Sequence, residues 1–298
     1  MEAAKKGKQV TVVIEIKARF DEEQNIRWAR ELELAGCHVI YGLKGLKTHA
    51  KCLLIVRKEE IGIVRYVHLS TGNYNHITSN VYTDLGFMTT NEDICEDASA
   101  LFNMLTGFSE PRHWNKLIVA PRDLRKKLVK QIDNEIKIAQ ENKKARIIIK
   151  SNSLVDKEII EKLYEASEKG VKIDLIIRGA CALKSGVKKI SENIKVHSIV
   201  GRYLEHSRIY YFENEKNEKV FISSADMMER NLDRRVELMV PIEKDSLKKE
   251  IIEILFLYLK DNVKRKIQNS QGKYVKAPKT KDIINSQEEM IKIVKGRK

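Results

Sequence analysis

The chain lacks the sequence features of membrane-spanning and disulfide-stabilised proteins. Nowhere in its 298 residues does an apolar run reach the roughly 18 residues of a membrane span, and residues 1–30 are charged rather than signal-like. Its four cysteines, Cys37, Cys52, Cys95 and Cys181, have spacings that fit neither a zinc site nor a disulfide framework. We therefore expect a soluble, cytoplasmic protein whose cysteines are buried thiols.

The charge balance is positive but unevenly distributed. The chain has 56 Lys and Arg residues against 42 Asp and Glu residues, a net charge of +14. Residues 260–298 contain twelve basic and four acidic side chains, or +8, which leaves +6 for the other 259 residues. A basic terminal stretch is usually a solvated surface, and charge alone does not distinguish anionic polymers from membranes as partners. The apolar content of 42% is sufficient for a packed core and excludes wholesale disorder.

A weak internal duplication divides the chain into two related parts. In each part a glycine precedes a short apolar run that ends in a basic residue, Arg19 or Arg178. A histidine and then a segment of small residues follow in the same order. The corresponding positions, separated by 163, 157 and 153 residues, are Gly7 and Gly170, His49 and His206, and Asn73 and Asp226. Because the separations drift so little, they indicate two α/β units that differ in loop length.

Short apolar runs rich in β-branched residues alternate with segments of helical periodicity. The runs fit strands that are buried on both faces of a largely parallel or mixed sheet, and their alternation with helices predicts an α/β fold. We expect strands at 10–14, 53–56, 147–149, 173–177 and 209–212, and helices at 22–35, 122–142, 155–169 and 247–259. The second of these helices would link the two units.

The duplication also predicts where the units begin and end. We expect a first domain, a second domain and a basic tail at residues 1–116, 117–268 and 269–298. In the second unit a strand and a helix precede Gly170, whereas only residues 2–6 precede Gly7 in the first. The first unit should therefore be incomplete at its amino end, with an unprotected sheet edge, and the chain should be a fragment of a longer protein.

Each unit places a histidine and a cation two residues apart, just before an apolar run. His49 is followed by Lys51, and His206 by Arg208. On alternating strand positions both side chains point to one face, where a neutral imidazole can attack phosphorus and the cation can stabilise phosphoryl oxygens. Pseudo-symmetry would bring the two histidines to one groove, one as nucleophile and the other as acid, base or electrostatic support.

A purely structural interpretation competes with this one. A single histidine before a strand is more often structural than catalytic. Two histidines at corresponding places, each with a cation, make the two interpretations about equally strong. The remaining histidines lack such pairing and are expected to be structural: His38, His68, His76, His113 and His197.

The motifs around the two histidines resemble those of a known superfamily. The histidine–any–cation pairs are similar to those of phospholipase D enzymes, which have an aspartate seven residues after the histidine, where this chain has Val56 and Glu213. The resemblance to the carboxy-terminal catalytic half of the polyphosphate kinase family is closer and runs from about Glu2 to Gln268. It is carried by residues 17–22, 25–29, 45–51, 70–75, 154–157, 177–179, 202–206 and 223–226.

This resemblance implies both a fold and an activity. The implied fold is two phospholipase D-like α/β/α sandwich units. The implied activity is the reversible transfer of the terminal phosphate of ATP to a polyphosphate chain. His49 matches the histidine that becomes phosphorylated, and His206 matches the second catalytic histidine, which also lies near the nucleotide.

The resemblance assigns further residues to the site, and we add to them the two basic residues that follow the histidines, Lys51 and Arg208. The set comprises Tyr82, Arg178 and His206 for the nucleotide, Lys51, Arg208 and Arg235 for phosphate groups, and Arg19 for a magnesium–phosphate site. The sequence has no glycine-rich Walker loop, so arginines and Mg²⁺, the implied cofactor, would hold ATP. By sequence alone Tyr82 is more typical of a core aromatic. Arg19 and Arg178 could be surface ion-pair residues, but their equivalent strand-end positions favour ligand binding.

The implied partners are ATP, ADP and inorganic polyphosphate. The resemblance further implies a homo-oligomer in the full-length protein and no specific nucleic acid, and the basic surface is compatible with peripheral membrane association. Two alternatives stay open. One is a phospholipase D-like phosphodiesterase or nuclease, which the absent aspartates disfavour. The other is a non-catalytic fragment that binds polyanions.

Overall fold

A computed structural model describes residues 1–16, 22–43, 45–107 and 109–296. Its helices are α1 Glu2–Lys5, α2 Glu22–Leu34, α3 Glu92–Gly107, α4 Leu124–Gln140, α5 Lys157–Glu168, α6 Glu229–Asp233, α7 Asp245–Lys260 and α8 Ser286–Lys295. Its strands are β1 Thr11–Val13, β2 His38–Ile40, β3 Lys47–Thr48, β4 Cys52–Glu59, β5 Gly62–Ser70, β6 Tyr82–Thr83, β7 Gly86–Thr89, β8 Ile118–Ala120, β9 Arg146–Ser151, β10 Lys172–Ile177, β11 Ile194–Ile199, β12 Leu204–Glu205, β13 Arg208–Phe212, β14 Lys219–Ser223, β15 Arg235–Pro241, β16 Arg265–Gln268 and β17 Tyr274–Lys276. The α/β fold class is confirmed, and each predicted strand and helix overlaps one of these elements.

The largest sheet lies mainly in the second half of the chain. Its ten strands include the path β17-β16-β11-β10-β9-β13-β14-β15-β3, and β8 pairs additionally with β15. Strand β10 is parallel to both β9 and β11, whereas β13, β14 and β15 are antiparallel neighbours. Helices α4 and α5 supply the core on one face, and α3 and α7 supply it on the other. The sheet is therefore the middle layer of an α/β/α sandwich.

Alternate residues of the central strands pack into these two cores. On β9, Ile147 and Ile149 belong to the core under α4 and α5, whereas Ile148 belongs to the opposite core. All three are at most 1% exposed, and burial of each stabilises the fold by about 1.5–3 kcal/mol. The second core also includes Val67 from β5 and Leu101 from α3. Both halves of the chain therefore share one core, which fixes the position of one half against the other.

The strand pairing of the first half repeats that of the second. Strands β1 and β2 pair parallel, as β10 and β11 do. Strands β4, β5 and β7 form an antiparallel three-stranded sheet, as β13, β14 and β15 do. This correspondence follows the order that the sequence duplication predicts.

The expectation that every apolar run is buried on both faces is wrong for β4. Leu53 and Ile55 are 41% and 44% exposed, whereas Leu54, between them, packs against the second core. The sheet formed by β4, β5 and β7 covers that core with one face only. Its apolar outer face is left in solvent.

The segment after Gln268 differs from the expected tail. Strand β17 pairs antiparallel with β16, and Met290 of helix α8 packs against the second core. Ser286, at the start of α8, is fully buried, and its backbone N–H and hydroxyl each donate to Oδ2 of Asp261 at 2.8 Å. The charge composition did not predict that this segment is folded, because the few residues that make buried contacts lie among many lysines.

The expectation that the cysteines are buried thiols holds for two of the four. All four cysteines are free; Cys37 and Cys95 are buried, and Cys52 and Cys181 are half-buried. In the part of the chain that the structure describes, none of the helices has both the length and the apolar character needed to cross a bilayer.

Candidate active site

His49 lies in the short connection between β3 and β4 and is held by β15. Strand β3 pairs parallel with the start of β15, and the backbone N–H groups of His49 and Ala50 both donate to the carbonyl of Val236 at 2.9 Å. The imidazole Nδ1 is 2.8 Å from Oε2 of Glu237, a fully buried carboxylate that also accepts from the hydroxyl of Ser224 at 2.5 Å. Because a carboxylate only accepts, Nδ1 carries the proton and Nε2 carries the lone pair.

The surroundings of His49 favour a neutral imidazole. Burial lowers its pKa, and the charges of Lys51 and Arg208 lower it further, against the opposing effect of Glu237. The side chain is nonetheless 22% exposed, so a substrate can reach it. A neutral imidazole with a free lone pair is the form in which histidine acts as a nucleophile.

Lys51 adds a buried cation beside His49. Its side chain is 7% exposed, and its ammonium contacts the carbonyl oxygen of His49. Burial lowers the pKa of Lys51 to about 7; Glu237 opposes this effect, and Arg208 and Arg235 reinforce it. Lys51, Arg208 and Arg235 thus lie near one another, and the charges of the two arginines make the protonated lysine less favourable.

His206 occupies the equivalent connection between β12 and β13. Strand β12 pairs parallel with β6 of the first half, and the backbone N–H of His206 donates to the carbonyl of Thr83 at 3.2 Å. Its Nδ1 lies 2.9 Å from both carboxylate oxygens of Asp84. The ring of Tyr82 packs against the imidazole with centroids 5.0 Å apart. Tyr82 is therefore a half-buried neighbour of His206 and not a core aromatic.

Arg208 joins the two halves of the site. Its Nε and Nη2 donate to Asp226 at 3.0 and 3.1 Å, and its Nη1 donates to the carbonyl of Thr71 at 3.1 Å. Nη1 is also 3.2 Å from Nε2 of His206. The charge of Arg208 lowers the pKa of both His206 and His49, so the two histidines belong to one group of interacting charges. The name charged cluster is used below for its members, His49, Lys51, Asp84, His206, Arg208, Asp226, Arg235 and Glu237.

The other predicted arginines are only partly accounted for by protein contacts. Arg178 is half-buried after the end of β10, and its Nε donates to the side-chain oxygen of Asn152 at 2.7 Å and to the carbonyl of Glu205 at 2.6 Å. It is therefore not a surface ion-pair residue. Arg235 is half-buried, and its Nη1 lies 3.9 Å from Oε1 of Glu237. Arg19 lies outside the described residues.

Sequence reasoning missed the two carboxylates that hold the histidines. Glu237 is an acidic residue among the apolar residues of β15. An acidic residue in such a strand is the sequence signal that could have indicated its role. Asp84 lies two residues after Tyr82 and offers no comparable signal. Gly72 lies in the motif at residues 70–75, and a Cβ at this position would lie 2.1 Å from Oδ2 of Asp84. Only glycine leaves room for the carboxylate that contacts His206.

The two positions at which phospholipase D enzymes would have aspartates lie outside the candidate site. Val56 is 57% exposed on β4. Glu213 is buried and pairs with Lys144 at 2.7 Å, beyond the end of β13 and away from the histidine that precedes that strand. Neither residue belongs to the charged cluster.

The described residues do not form a protein cage for a divalent cation. Among them, no group of three or more His, Cys, Asp or Glu side chains is placed to hold a metal ion. The nearest carboxylates, Glu237 and Asp84, each hydrogen-bond to a histidine. Mg²⁺ prefers several oxygen ligands in octahedral geometry, which these residues do not provide.

Comparison with known proteins assigns this chain to a family. The family model described as polyphosphate kinase C-terminal domain 1 matches residues 1–111, and that described as C-terminal domain 2 matches residues 117–287. The chain belongs to the polyphosphate kinase family. The resemblance read from the sequence is thereby confirmed.

Relatives of known name cover most of the chain. The polyphosphate kinase of Lactiplantibacillus plantarum is 55% identical over 253 residues, which is 85% of this chain and 35% of that protein. The crystal structure of polyphosphate kinase from Porphyromonas gingivalis is 38% identical with a TM-score of 0.91, covering 99% of this chain and 45% of that chain. Phosphatidylserine synthase from Haemophilus influenzae shares the fold alone, at 9% identity and a TM-score of 0.56 over 97% of this chain and 81% of its own. The chain thus spans about a third of the length of the curated polyphosphate kinases it matches.

Proposed function

We propose that this chain supplies the phosphoryl-transfer site of a polyphosphate kinase, with His49 as the residue that carries phosphate between ATP and polyphosphate. The observation that carries the proposal is the hydrogen bond between His49 Nδ1 and the buried Glu237, with the basic side chains of Lys51 and Arg208 nearby. This arrangement suits a neutral nucleophile whose phosphorylated form is positively charged on the ring and negatively charged on the phosphate.

In the first step the lone pair of His49 Nε2 attacks the γ-phosphorus of ATP. The N–P bond forms while the bond from phosphorus to the β,γ-bridging oxygen breaks, and ADP leaves. The Nδ1 proton stays in the hydrogen bond to Glu237, whose charge balances that of the phosphorylated ring. Because attack uses a lone pair, no proton needs to be removed from His49.

In the second step a terminal oxygen of the polyphosphate chain attacks the same phosphorus. The N–P bond breaks, its electron pair returns to Nε2, and the chain is one phosphate longer. The imidazole is neutral again and ready for another ATP. The two steps can also run in reverse, with the same bonds formed and broken, and the transfer is therefore reversible.

The remaining predicted residues take supporting roles in this proposal. Tyr82, Arg178 and His206 bind the nucleotide, with His206 also acting as acid, base or electrostatic support for the leaving group. Lys51, Arg208 and Arg235 bind the phosphate groups; arginine is suited to forked phosphate contacts and lysine acts as a point charge. Mg²⁺, the implied cofactor, would neutralise the charge of the nucleotide phosphates, and Arg19 is the residue that the resemblance assigns to the magnesium–phosphate site.

The domain organisation and setting are part of the same proposal. Residues 1–116 and 117–268 act as two units on either side of the phosphoryl-transfer site. The full-length protein acts as a cytoplasmic homo-oligomer on ATP, ADP and polyphosphate, without specific nucleic acid binding. Any membrane association would be peripheral and would use the basic surface.

A labelling experiment tests the proposal. The chain is incubated with ATP labelled in its γ-phosphate, and acid-labile label is mapped to a residue. We expect label on His49, none on His49→Ala, and unchanged labelling of His76→Ala, which removes an exposed histidine. The Lactiplantibacillus plantarum relative serves as the positive control. Undiminished labelling of His49→Ala would contradict the proposal, and release of product from a chromogenic phosphodiester would favour the phosphodiesterase alternative.

A further inference from the structure

A buried polar network lies directly behind His206, on the side away from the candidate site. Along residues 205–208 the side chains alternate, so that His206 and Arg208 face the charged cluster while Glu205 and Ser207 face the interior. Lys150, which is 1% exposed, donates to Ser207 Oγ at 2.8 Å and lies 3.0 Å from Glu205 Oε2. One buried lysine thus holds the residues on both sides of the histidine.

The carboxylate of Glu205 collects donors from both halves of the chain. Its Oε2 accepts from the hydroxyl of Tyr258 at 2.6 Å and from that of Thr83 at 2.9 Å, in addition to Lys150. Its Oε1 accepts from the side-chain amide of Gln287 at 2.6 Å. Burial of a carboxylate costs free energy unless the carboxylate accepts hydrogen bonds. The donors around Glu205 supply these bonds and hold its carboxylate in one position.

Gln287 brings helix α8 into this network. Its side chain is 3% exposed and pairs with the backbone of Tyr203 in both directions, accepting from the N–H at 3.0 Å and donating to the carbonyl at 2.9 Å. A Cβ on Gly201 would lie 2.5 Å from Oε1 of Gln287, so the backbone approaches this amide closely. Helix α8 therefore clamps the segment that leads to His206.

The network also touches the partner of His206. Thr83, which donates to Glu205, immediately precedes Asp84, whose carboxylate contacts His206 Nδ1. The pairing of β6 with β12 is only two residues long, Leu204 with Tyr82 and Glu205 with Thr83. So short a parallel pair contributes little stability of its own, and the side-chain contacts of Glu205 keep it in register.

We propose that Glu205 and Gln287 are positioning residues, through which the carboxy-terminal helix α8 holds His206 in register with Asp84. The inference rests on the proposed function only for the use made of His206; the positioning itself concerns geometry. It assigns a role to residues 269–296, which the charge pattern alone had marked as a solvated tail.

The test compares Gln287→Ala and Gln287→Met with Glu288→Ala in the 298-residue chain. Glu288 is the next residue of α8 and is exposed, so its variant controls for a change in the helix itself. Hydrogen exchange is followed at the amides of His206 and Ser207, both of which donate to the carbonyl of Thr83. The protonation state of the His206 ring nitrogens is followed by ¹⁵N chemical shifts.

Both Gln287 variants should accelerate exchange at these two amides by about tenfold or more, since each loses hydrogen bonds to a charged and a backbone partner. The His206 ring should lose the fixed Nδ1–H form that the bond to Asp84 imposes. Glu288→Ala should change neither. The methionine fills the same space without an amide, so it keeps the test valid if alanine unfolds the segment.

Loosened α8 amides with unchanged exchange and ¹⁵N shifts at His206 would overturn the inference. So would a Gln287→Met variant that behaves like the unchanged chain, because packing and not hydrogen bonding would then hold the loop. These outcomes are independent of phosphoryl transfer. Absence of labelling on His49 would sink the proposed function and leave the positioning result intact.

Discussion

The Nδ1 atom of His49 lies 2.8 Å from Oε2 of Glu237, although 188 residues separate the two in the chain. The contact exists because β3 pairs with the start of β15, which places the residue after β3 beside the third residue of β15. Glu237 is fully buried, and its other oxygen has no hydrogen-bond partner among the described residues. The hydrogen bonds that hold this carboxylate, from His49 and from the hydroxyl of Ser224, both go to Oε2.

Glu237→Gln should therefore impair phosphorylation of His49 more than it impairs folding. The amide keeps the shape of the side chain but removes the charge that balances a phosphorylated imidazole. We expect the rate of labelling from γ-labelled ATP to fall by about 10²-fold, in the usual range for loss of such a partner. Glu243→Gln, which alters an exposed carboxylate paired with Lys116, should label normally. A normal rate in Glu237→Gln would show that the carboxylate is not needed for transfer.

The sequence predicted what depends on local signals. Strand and helix positions follow from periodicity, and the two histidine sites follow from a repeated histidine–any–cation pattern. The same repeat equated Asn73 with Asp226, yet Asp226 is buried and binds Arg208 whereas Asn73 is exposed. A repeat in sequence thus locates equivalent backbone but does not ensure equivalent side-chain roles.

What the sequence could not predict depends on pairing between distant segments. Asp84 meets His206 across 122 residues through a two-residue strand pair, too short to leave a pattern. The burial of Lys150 and Glu205 is also invisible locally, because lysine and glutamate are ordinarily surface residues. Only the folded structure shows that each neutralises the other.

Gly72→Ala should disturb His206 although the two residues are far apart in sequence. A Cβ at position 72 would lie 2.1 Å from Oδ2 of Asp84, so the carboxylate must move away from the imidazole. Burial and Arg208 lower the pKa of His206 while Asp84 raises it, so loss of Asp84 should lower the pKa further. An NMR titration of the ring measures this shift.

Two further variants provide comparisons for the His206 titration. Asp84→Asn should lower the pKa of His206 in the same direction, since it removes the charge without the clash. Gly107→Ala should leave the pKa unchanged, because no atom lies within 4 Å of a Cβ at that helical position. An unchanged His206 titration in Gly72→Ala would mean that Asp84 adapts without leaving the ring.

The outer face of β4, β5 and β7 should promote self-association. Leu53, Ile55 and Met88 are 41%, 44% and 63% exposed, and the strand register places all three on the same side of the sheet. His68 lies between Leu53 and Met88 on this face, and exposed apolar side chains grouped in this way favour contacts between molecules. Ile55→Lys should weaken association by about tenfold, measured by sedimentation velocity, whereas Ile283→Lys, at a separate exposed site, should not. Equal association of both variants would exclude this face as the contact.

Lys51→Met should stabilise the fold below neutral pH while it impairs phosphate binding. Burial lowers the pKa of Lys51 to about 7 from an ordinary value of 10.5. Between these two values the unfolded chain binds more protons at this position than the folded chain does, so the contribution of Lys51 to the free energy of unfolding rises with pH. Below pH 7 both states are protonated, and the folded state bears the full cost of a buried charge.

The stabilisation by Lys51→Met should thus be largest at pH 6 and mostly gone at pH 10. Each 1 kcal/mol of added stability should raise the Tm by roughly 2–4 °C in a chain of this size. Lys58→Met, which removes an exposed lysine on β4, is the matched control and should give no pH-dependent gain. Labelling of His49 should fall by about tenfold in Lys51→Met, since one cation for the phosphoryl oxygens is lost. A Tm gain of equal size at both pH values would indicate improved packing and would contradict a buried, charge-bearing role for Lys51.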